Sequence, residues 1–193
     1  VAVSCFGLVG TDSDAEILEQ MLTNHKVSTN FKRVNQRTIT KLRVMSKAHQ
    51  MIRLDFEVPF HSEDAEQLAN SVSVNDQTAI VLSDYAKGSV AAQSLIQAAK
   101  ARSIPIIVDP KGSNFEKYRG ATVLTPNRSE LRAVMGDWNN DDELIVLARR
   151  LVVNLDLDAL LVTRSEQGMT LISANDVFHF AATNRDVADV TGA

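Results

Sequence analysis

Short unbroken apolar runs alternate along the chain with stretches whose apolar positions recur every three or four residues. The runs are Val1 to Leu8, Thr78 to Leu82, Ile104 to Asp109, Ala121 to Thr125 and Ala159 to Thr163. Their continuity predicts strands of a parallel sheet covered on both faces. Helical spacing falls between them. From Asp12 to Asn24, the residues Ala15, Leu18, Met21 and Leu22 share a face. From Ser89 to Arg102, Ala92, Leu95, Ile96 and Ala99 do the same, with Ser89 as a predicted N-cap. Arg128 to Met135 predicts a short helix ended by Gly136, and Asp141 to Asn154 places Leu144, Leu147, Ala148 and Leu151 on one side. Strand–helix alternation of this kind predicts right-handed βαβ units in an open α/β sheet.

One stretch departs from that rhythm. Residues 27–57 have little helical period and much β-propensity. Ile52, Leu54 and Phe56 alternate with Met51, Arg53 and Asp55, and Thr38 to Met45 reads as the partner strand, joined through Ser46-Lys47-Ala48-His49. The expectation is a β-ribbon standing off the main sheet, a candidate lid and dimer surface, because a two-stranded ribbon is rarely stable alone. Met169 to Ser173 and Val177 to Ala181 predict a second hairpin around Asn175-Asp176.

Composition narrows the function classes. The chain has 193 residues, 45% apolar and 23% charged, which suits one domain or a large part of one. Its apolar runs fall well short of the about 20 residues of a membrane span. A net charge of −4 gives no global basic excess for nucleic acid, while a small anion in a local basic pocket stays compatible. Cys5 is the only cysteine, so an intrachain disulfide and a multi-cysteine metal site are excluded, and a reducing, cytoplasmic setting is expected. The opening apolar run has no charged region before it and does not read as a signal peptide. Both ends read as cut within structure.

In open α/β sheets ligands bind beyond the carboxyl ends of the strands. Four polar loops follow predicted strands: Ser83 to Gly88, Asp109 to Gly112, Thr125 to Glu130 and Thr163 to Gly168. Their agreement on one edge carries more weight than any one loop. The chain has no P-loop, no G-x-G-x-x-G turn and no G-x-S-x-G elbow. His25, His49, His61 and His179 lack metal-ligand spacing, and neither Ser83 nor Ser165 has a nearby base candidate. Thr191-Gly192-Ala193 could leave backbone N–H groups free for a phosphate at a helix start, or could form a simple turn. For Asp109 the better expectation is a side chain that closes its own turn.

These residues carry a resemblance. Asp189-Val190-Thr191-Gly192-Ala193 is similar to the start of the D-x-T-G-A-G-D signature of PfkB-type (ribokinase-family) sugar kinases, and Asn127-Arg128-Ser129-Glu130 matches that family's N-x-x-E motif. Five segments further resemble one branch, the kinase domain of the bifunctional heptose-phosphate kinase/adenylyltransferases of Gram-negative bacteria. They are Thr38 to Val44, Ile52 to Phe56, Leu82 to Gly88, Asp109 to Gly112 and Val162 to Met169. The resemblance spans residues 1–193 as a partial kinase domain, truncated at both ends.

The resemblance implies a ribokinase-like, mostly parallel sheet flanked by helices, with the ribbon as lid. It implies ATP- and Mg²⁺-dependent phosphorylation of a heptose 7-phosphate at the anomeric hydroxyl, and an adenylyltransferase domain on the same full-length chain. Thr191, Gly192 and Ala193 then correspond to an anion hole, and the base to an Asp just after Ala193, so no catalytic base lies within the chain. Asn127, Arg128, Ser129, Glu130, Thr163 and Gly168 correspond to the ATP side. Glu130 is the magnesium-side carboxylate, and Asp189 is assigned to a monovalent cation. Arg43, Asp84 and Lys87 are candidates for the sugar phosphate, since Arg offers a bidentate fork. The plainer alternatives are a helix cap for Asn127, a strand end for Thr163, a hairpin turn for Gly168 and a solvated strand face for Arg43. Two other functions stay open: a PfkB-type kinase for another sugar, and a non-catalytic nucleotide-binding or dimerising module.

Overall fold

The computed structural model describes residues 1–47 and 49–182 of the chain. Asp189, Thr191, Gly192 and Ala193 lie outside the described residues. Two compact units emerge. The first comprises Val1–Gln77 and Asp84–Ala98, and the second Thr78–Ser83 with the chain from Ala99 onward.

In the first unit, β1 (Val3–Val9) leads into α1 (Ser13–Asn24) and β2 (Val27–Arg33). Asp12 caps α1 by accepting the Ala15 N–H at 3.1 Å. β2 pairs in parallel with β1, Val3 opposite Val27 through Val9 opposite Arg33. This corrects the expectation that 27–57 is all ribbon. Only β3 (Thr40–Ser46) and β4 (His49–Phe56) form it, as an antiparallel pair with a bulge at Val44/Met45. β2 is held to its sheet instead because Phe31 packs over Gly7 and the Val34 N–H reaches the Val9 carbonyl. A second helix, α2 (Ser62–Ser71), is not evident from the spacing; it buries Ala65, Leu68 and Ala69 and carries Glu63 and Asp64 in its first turn, which favours the positive helix end. Leu8, Val34, Phe60, Ala65 and Leu68 form this unit's core. Helix α3 (Ala92–Lys100) comes next in the chain. It starts three residues later than the predicted Ser89 cap, with its first bond from the Leu95 N–H to the Ala91 carbonyl.

The second unit is built on a six-stranded sheet in the order β10-β9-β8-β7-β6-β5. The strands are β5 (Ile80–Ser83), β6 (Ile106–Asp109), β7 (Val123–Leu124), β8 (Ala159–Thr163), β9 (Met169–Ser173) and β10 (Val177–Phe180). β5 to β8 run parallel, and β9 and β10 fold back antiparallel as the predicted hairpin. Its turn is closed by the Asn175 and Asp176 N–H groups donating to Ser173 Oγ. Helices α4 (Arg128–Met135) and α5 (Asp141–Asn154) have the predicted bounds, each started by an asparagine cap. Ile106, Val108, Leu124, Leu160, Val162 and Ile172 are essentially sealed from water, as a doubly covered sheet requires. Each such side chain contributes about 1.5–3 kcal/mol on burial. Among the described residues no helix is long and apolar enough to cross a membrane.

Candidate active site

Because β5, β6, β7 and β8 are parallel neighbours, the loops after them emerge along one edge of the second unit's sheet. Ser83 stands opposite Asp109 there, and a further parallel bridge joins Asn127 to Thr163. The Thr163 N–H donates to the Pro126 carbonyl at 3.0 Å. Arg128 Nη1 donates to Gln167 Oε1 at 3.2 Å, which ties the 125–130 loop to the 163–168 loop. The residues predicted for the ATP side are thus brought together within one unit.

At the centre is a capping box. Asn127 Oδ1 accepts the Glu130 N–H at 3.0 Å, and Glu130 Oε2 accepts the Asn127 N–H at 3.0 Å. Ser129 Oγ adds a 2.7 Å bond to Asn127 Oδ1. The cap predicted as the plain alternative for Asn127 is therefore real, and it fixes the direction of the Glu130 carboxylate. The second oxygen, Oε1, receives Lys111 Nζ at 2.9 Å. The Glu130 side chain is 11% exposed and that of Lys111 51%. Burial pushes the Asp109 carboxyl above the usual carboxylate range, the Glu130 carboxylate raises it further, and Lys111 opposes both. Among the described residues no hydrogen bond to the Asp109 side chain closes its own turn, contrary to the expectation. That loop is instead anchored by the Lys111 N–H donating to the hydroxyl of the buried Tyr118 at 3.1 Å.

The Thr163–Gly168 loop has a different anchor. Arg164 is buried, and its Nη2 donates to both Asp141 oxygens at 2.7 and 2.9 Å and to Gln167 Oε1 at 3.0 Å. Nη1 reaches Thr170 Oγ1 at 3.2 Å. The guanidinium therefore pins the loop to the first turn of α5. Gly168 has φ +85°, and a Cβ there would lie 2.0 Å from the Phe180 carbonyl oxygen. Its identity reflects that close approach, which favours the hairpin-turn alternative over direct ligand contact. Arg164 is not among the predicted site residues, and Lys111 fits the predicted sugar-phosphate role less well than Asp84 and Lys87. The signal for Lys111 is its place in a post-strand loop; nothing in the spacing marks Arg164 as buried.

The three sugar-side candidates belong to the first unit. Asp84 is buried, and its Oδ1 accepts the Ala86 N–H at 2.7 Å, where Ala86 has φ +56°. Lys87 Nζ pairs with Glu57 Oε1 at 2.5 Å, and the Lys87 carbonyl accepts the Phe60 N–H. Gly88 (φ +75°) passes so close to Phe60 that a Cβ would lie 2.2 Å from its carbonyl oxygen. Arg43 is half-buried on the ribbon, opposite Arg53, which is itself forked onto Asp55 at 2.9 and 2.7 Å. The two arginines and Lys41 hold the Asp55 carboxyl below its ordinary range, the bonds from Arg53 most of all.

Comparison with known proteins decides the family. The model describing pfkB family carbohydrate kinases matches residues 1–193. The chain belongs to the PfkB family. PfkB kinases are phosphotransferases, and this chain shares long stretches with individual members. It is 43% identical over 198 residues to the bifunctional protein HldE of Haemophilus influenzae (strain PittEE), covering 100% of this chain and 42% of that protein. It is 47% identical over 196 residues to the bifunctional protein HldE of Blochmanniella floridana, covering 99% of this chain and 41% of that protein. The PfkB chain thus spans about two fifths of the length of these relatives. Among solved structures, phosphofructokinase-2 from Escherichia coli in complex with potassium aligns with TM-score 0.72 at 19% identity, over 93% of this chain and 61% of that one. Ribokinase from Giardia lamblia aligns with TM-score 0.76 at 14% identity, over 93% and 59%. Both show that the PfkB chain has the ribokinase-like α/β fold.

Proposed function

We propose that this chain is the kinase part of a heptose-phosphate kinase/adenylyltransferase. It would transfer the γ-phosphoryl group of ATP to the anomeric hydroxyl of D-glycero-β-D-manno-heptose 7-phosphate. The product, heptose 1,7-bisphosphate, leads to ADP-heptose and lipopolysaccharide core, and the cytoplasm is the compartment this reading implies. The choice of sugar is supported by the 43% and 47% identity to HldE proteins over the whole chain. The kinase chemistry is supported by one observation above the rest. A single oriented carboxylate, Glu130, shares a sheet edge with a cation, Lys111, and a capped helix start at Asn127.

Phosphoryl transfer needs positioning and charge neutralisation more than covalent help from the protein. The capping box presents Glu130 in one direction, and Asn127 and Ser129 crown the start of α4, where an anion is favoured. The donor set fits magnesium. Glu130 is a hard oxygen ligand whose Oε1 already faces a cation, and no group of three or more metal-ligating side chains exists among the described residues. A site with one carboxylate suits an ion that arrives with nucleotide phosphates. Magnesium, when bound, supplies neutralisation of the phosphate charge. Thr163 and Arg128 hold the neighbouring loop against α4. We assign Thr191, Gly192 and Ala193 to the anion hole, Asp189 to a monovalent cation, and the proton-accepting base to an Asp following Ala193 in the intact protein. Arg43, Asp84 and Lys87 are assigned to the sugar phosphate.

The ribbon supplies a partner surface. On one face Thr40, Leu42 and Val44 stand opposite Phe56, Leu54 and Ile52, and Leu42, Val44, Ile52, Leu54 and Phe56 are all exposed. The other face carries Lys41, Arg43, Arg53 and Asp55. We assign the apolar face to a second copy of this chain, since a self-complementary patch closes a two-fold dimer.

The test is an assay of the intact protein with ATP, Mg²⁺ and a panel of sugars and sugar phosphates, with products identified by ³¹P NMR. Anomeric phosphorylation of heptose 7-phosphate, faster than of fructose 6-phosphate or ribose, is expected. Preference for another sugar overturns the substrate, and no transfer to any acceptor overturns the kinase reading.

A further inference from the structure

The Lys111–Glu130 pair has an asymmetry that the proposed chemistry leaves unused. Glu130 cannot move: one oxygen is committed to the Asn127 N–H, and the side chain is 11% exposed. Lys111 can: its ammonium ends a four-carbon arm and its side chain is 51% exposed, while its backbone is fixed through the Tyr118 hydroxyl. The ammonium lies on the Glu130 oxygen that is not committed to the backbone, at 2.9 Å. That oxygen is therefore the one a divalent cation would have to reach.

Charge balance favours a change of counter-ion at this oxygen. The Lys111 ammonium brings one positive charge to the uncommitted Glu130 oxygen, whereas a divalent cation in its place brings two. An exchange of Lys111 for a metal ion improves the compensation and frees a positive arm beside incoming phosphates. The ammonium end of the pair is half exposed, so water takes up the released Lys111 at modest cost.

We infer that Lys111 is a resident counter-ion of Glu130 that a divalent cation displaces, and that the released ammonium then binds the phosphates of the nucleotide delivering the metal. This inference rests on the assignment of Glu130 to the nucleotide side. It makes Lys111 both a phosphate ligand and the reason why metal and nucleotide bind together. Metal alone must compete with Lys111; nucleotide removes the competitor. By linkage, each ligand then raises the affinity for the other.

The opposed signs provide the test. Mn²⁺ binding to the intact protein is measured by electron paramagnetic resonance, without nucleotide and with a non-hydrolysable ATP analogue, for wild type, Lys111→Ala and Lys111→Arg. Nucleotide binding is measured by calorimetry, and circular dichroism melting checks the fold. In Lys111→Ala, Mn²⁺ alone binds about two- to fivefold more tightly, as loss of a half-exposed pair allows, while the ATP analogue binds more weakly. The analogue's enhancement of Mn²⁺ affinity shrinks. In Lys111→Arg, the guanidinium fork grips Glu130 and Mn²⁺ alone binds more weakly than in wild type. In Glu130→Gln, changing Lys111 no longer alters Mn²⁺ affinity. A purely structural lysine would weaken both ligands together. Unchanged or weaker Mn²⁺ binding in Lys111→Ala overturns the inference, as does no Mn²⁺ binding by either protein. Should the Mn²⁺ results hold while the ATP analogue fails to bind wild type, the counter-ion role of Lys111 stands and the phosphate role, together with the nucleotide assignment, falls.

Discussion

Asn127 and Glu130 bond each other in both directions, side chain to backbone, at 3.0 Å each way. One pair of residues thus starts helix α4 and aims the carboxylate assigned to the nucleotide side. Folding and function can be separated at this pair, because a cap needs only a short side-chain acceptor.

Replacing Asn127 with Ala should cost about 1 kcal/mol through loss of the cap. Asn127→Ser should keep most of that stability, because serine caps as well as asparagine. Both variants should lose kinase activity by at least an order of magnitude, because neither carries the carboxamide assigned to the phosphates, while the backbone N–H of residue 127 still holds Glu130. Thermal melts and initial rates check this. A serine variant with wild-type activity would reduce Asn127 to its cap.

Arg164 should prove a structural residue. Its guanidinium is buried against Asp141, Gln167 and Thr170. Arg164→Met should destabilise the protein by about 2–3 kcal/mol, since several charge-assisted bonds vanish at once. Asp141 is half exposed and can return to water, which keeps the cost from being larger. Denaturant titration reads the value, and a change below about 0.5 kcal/mol would show that the loop has another anchor.

Asp12 should give the stability an acid limb. Its carboxylate accepts the Thr38 hydroxyl at 2.7 Å, the Thr38 N–H at 2.8 Å and the α1 cap bond from Ala15. The Thr38 bonds, above all, hold it below the ordinary carboxylate range. A depressed native pKa stabilises fully above the unfolded value of about 4 and is lost as pH falls through the native value. The stability gap between wild type and Asp12→Asn should therefore be constant near neutrality and shrink below about pH 4. A gap that stays the same down to about pH 3 would remove Asp12 from the linkage.

The ribbon should control oligomeric state. Leu54→Asp places a charge opposite Leu42 on the exposed apolar face. Light scattering should show a dimer for the intact wild-type protein and a monomer for the variant, with unchanged circular dichroism. A wild-type monomer, or a variant dimer, would assign that face to something other than a second copy.

Much of this architecture is legible in the sequence where the determining information is local. β8 and α5 carry their own boundaries, one in an unbroken apolar run and the other in an asparagine cap with helical spacing. α4 lies between Asn127 and Gly136, which takes φ +81°. β2 reads as ribbon from its residues because β-propensity does not name a partner, and its partner is β1, across a whole helix. α2 has a narrow apolar face, Ala65, Leu68 and Ala69, which the polar residues between them obscure. The candidate site divides in the same way. The N-x-x-E spacing places Asn127 and Glu130, whereas the contact from Lys111 crosses between two strands and exists only once β6 and β7 are neighbours. The burial of Arg164 is likewise a product of packing against α5.

The decisive measurement is a crystal structure of the intact protein with a non-hydrolysable ATP analogue and Mg²⁺. The phosphates are predicted at the sheet edge formed by the Asp109–Gly112 and Thr125–Glu130 loops, in direct or water-bridged contact with Asn127 and Glu130. Phosphates bound away from that edge, with the Asn127–Glu130 capping box untouched, would contradict the assignment of this edge to the nucleotide.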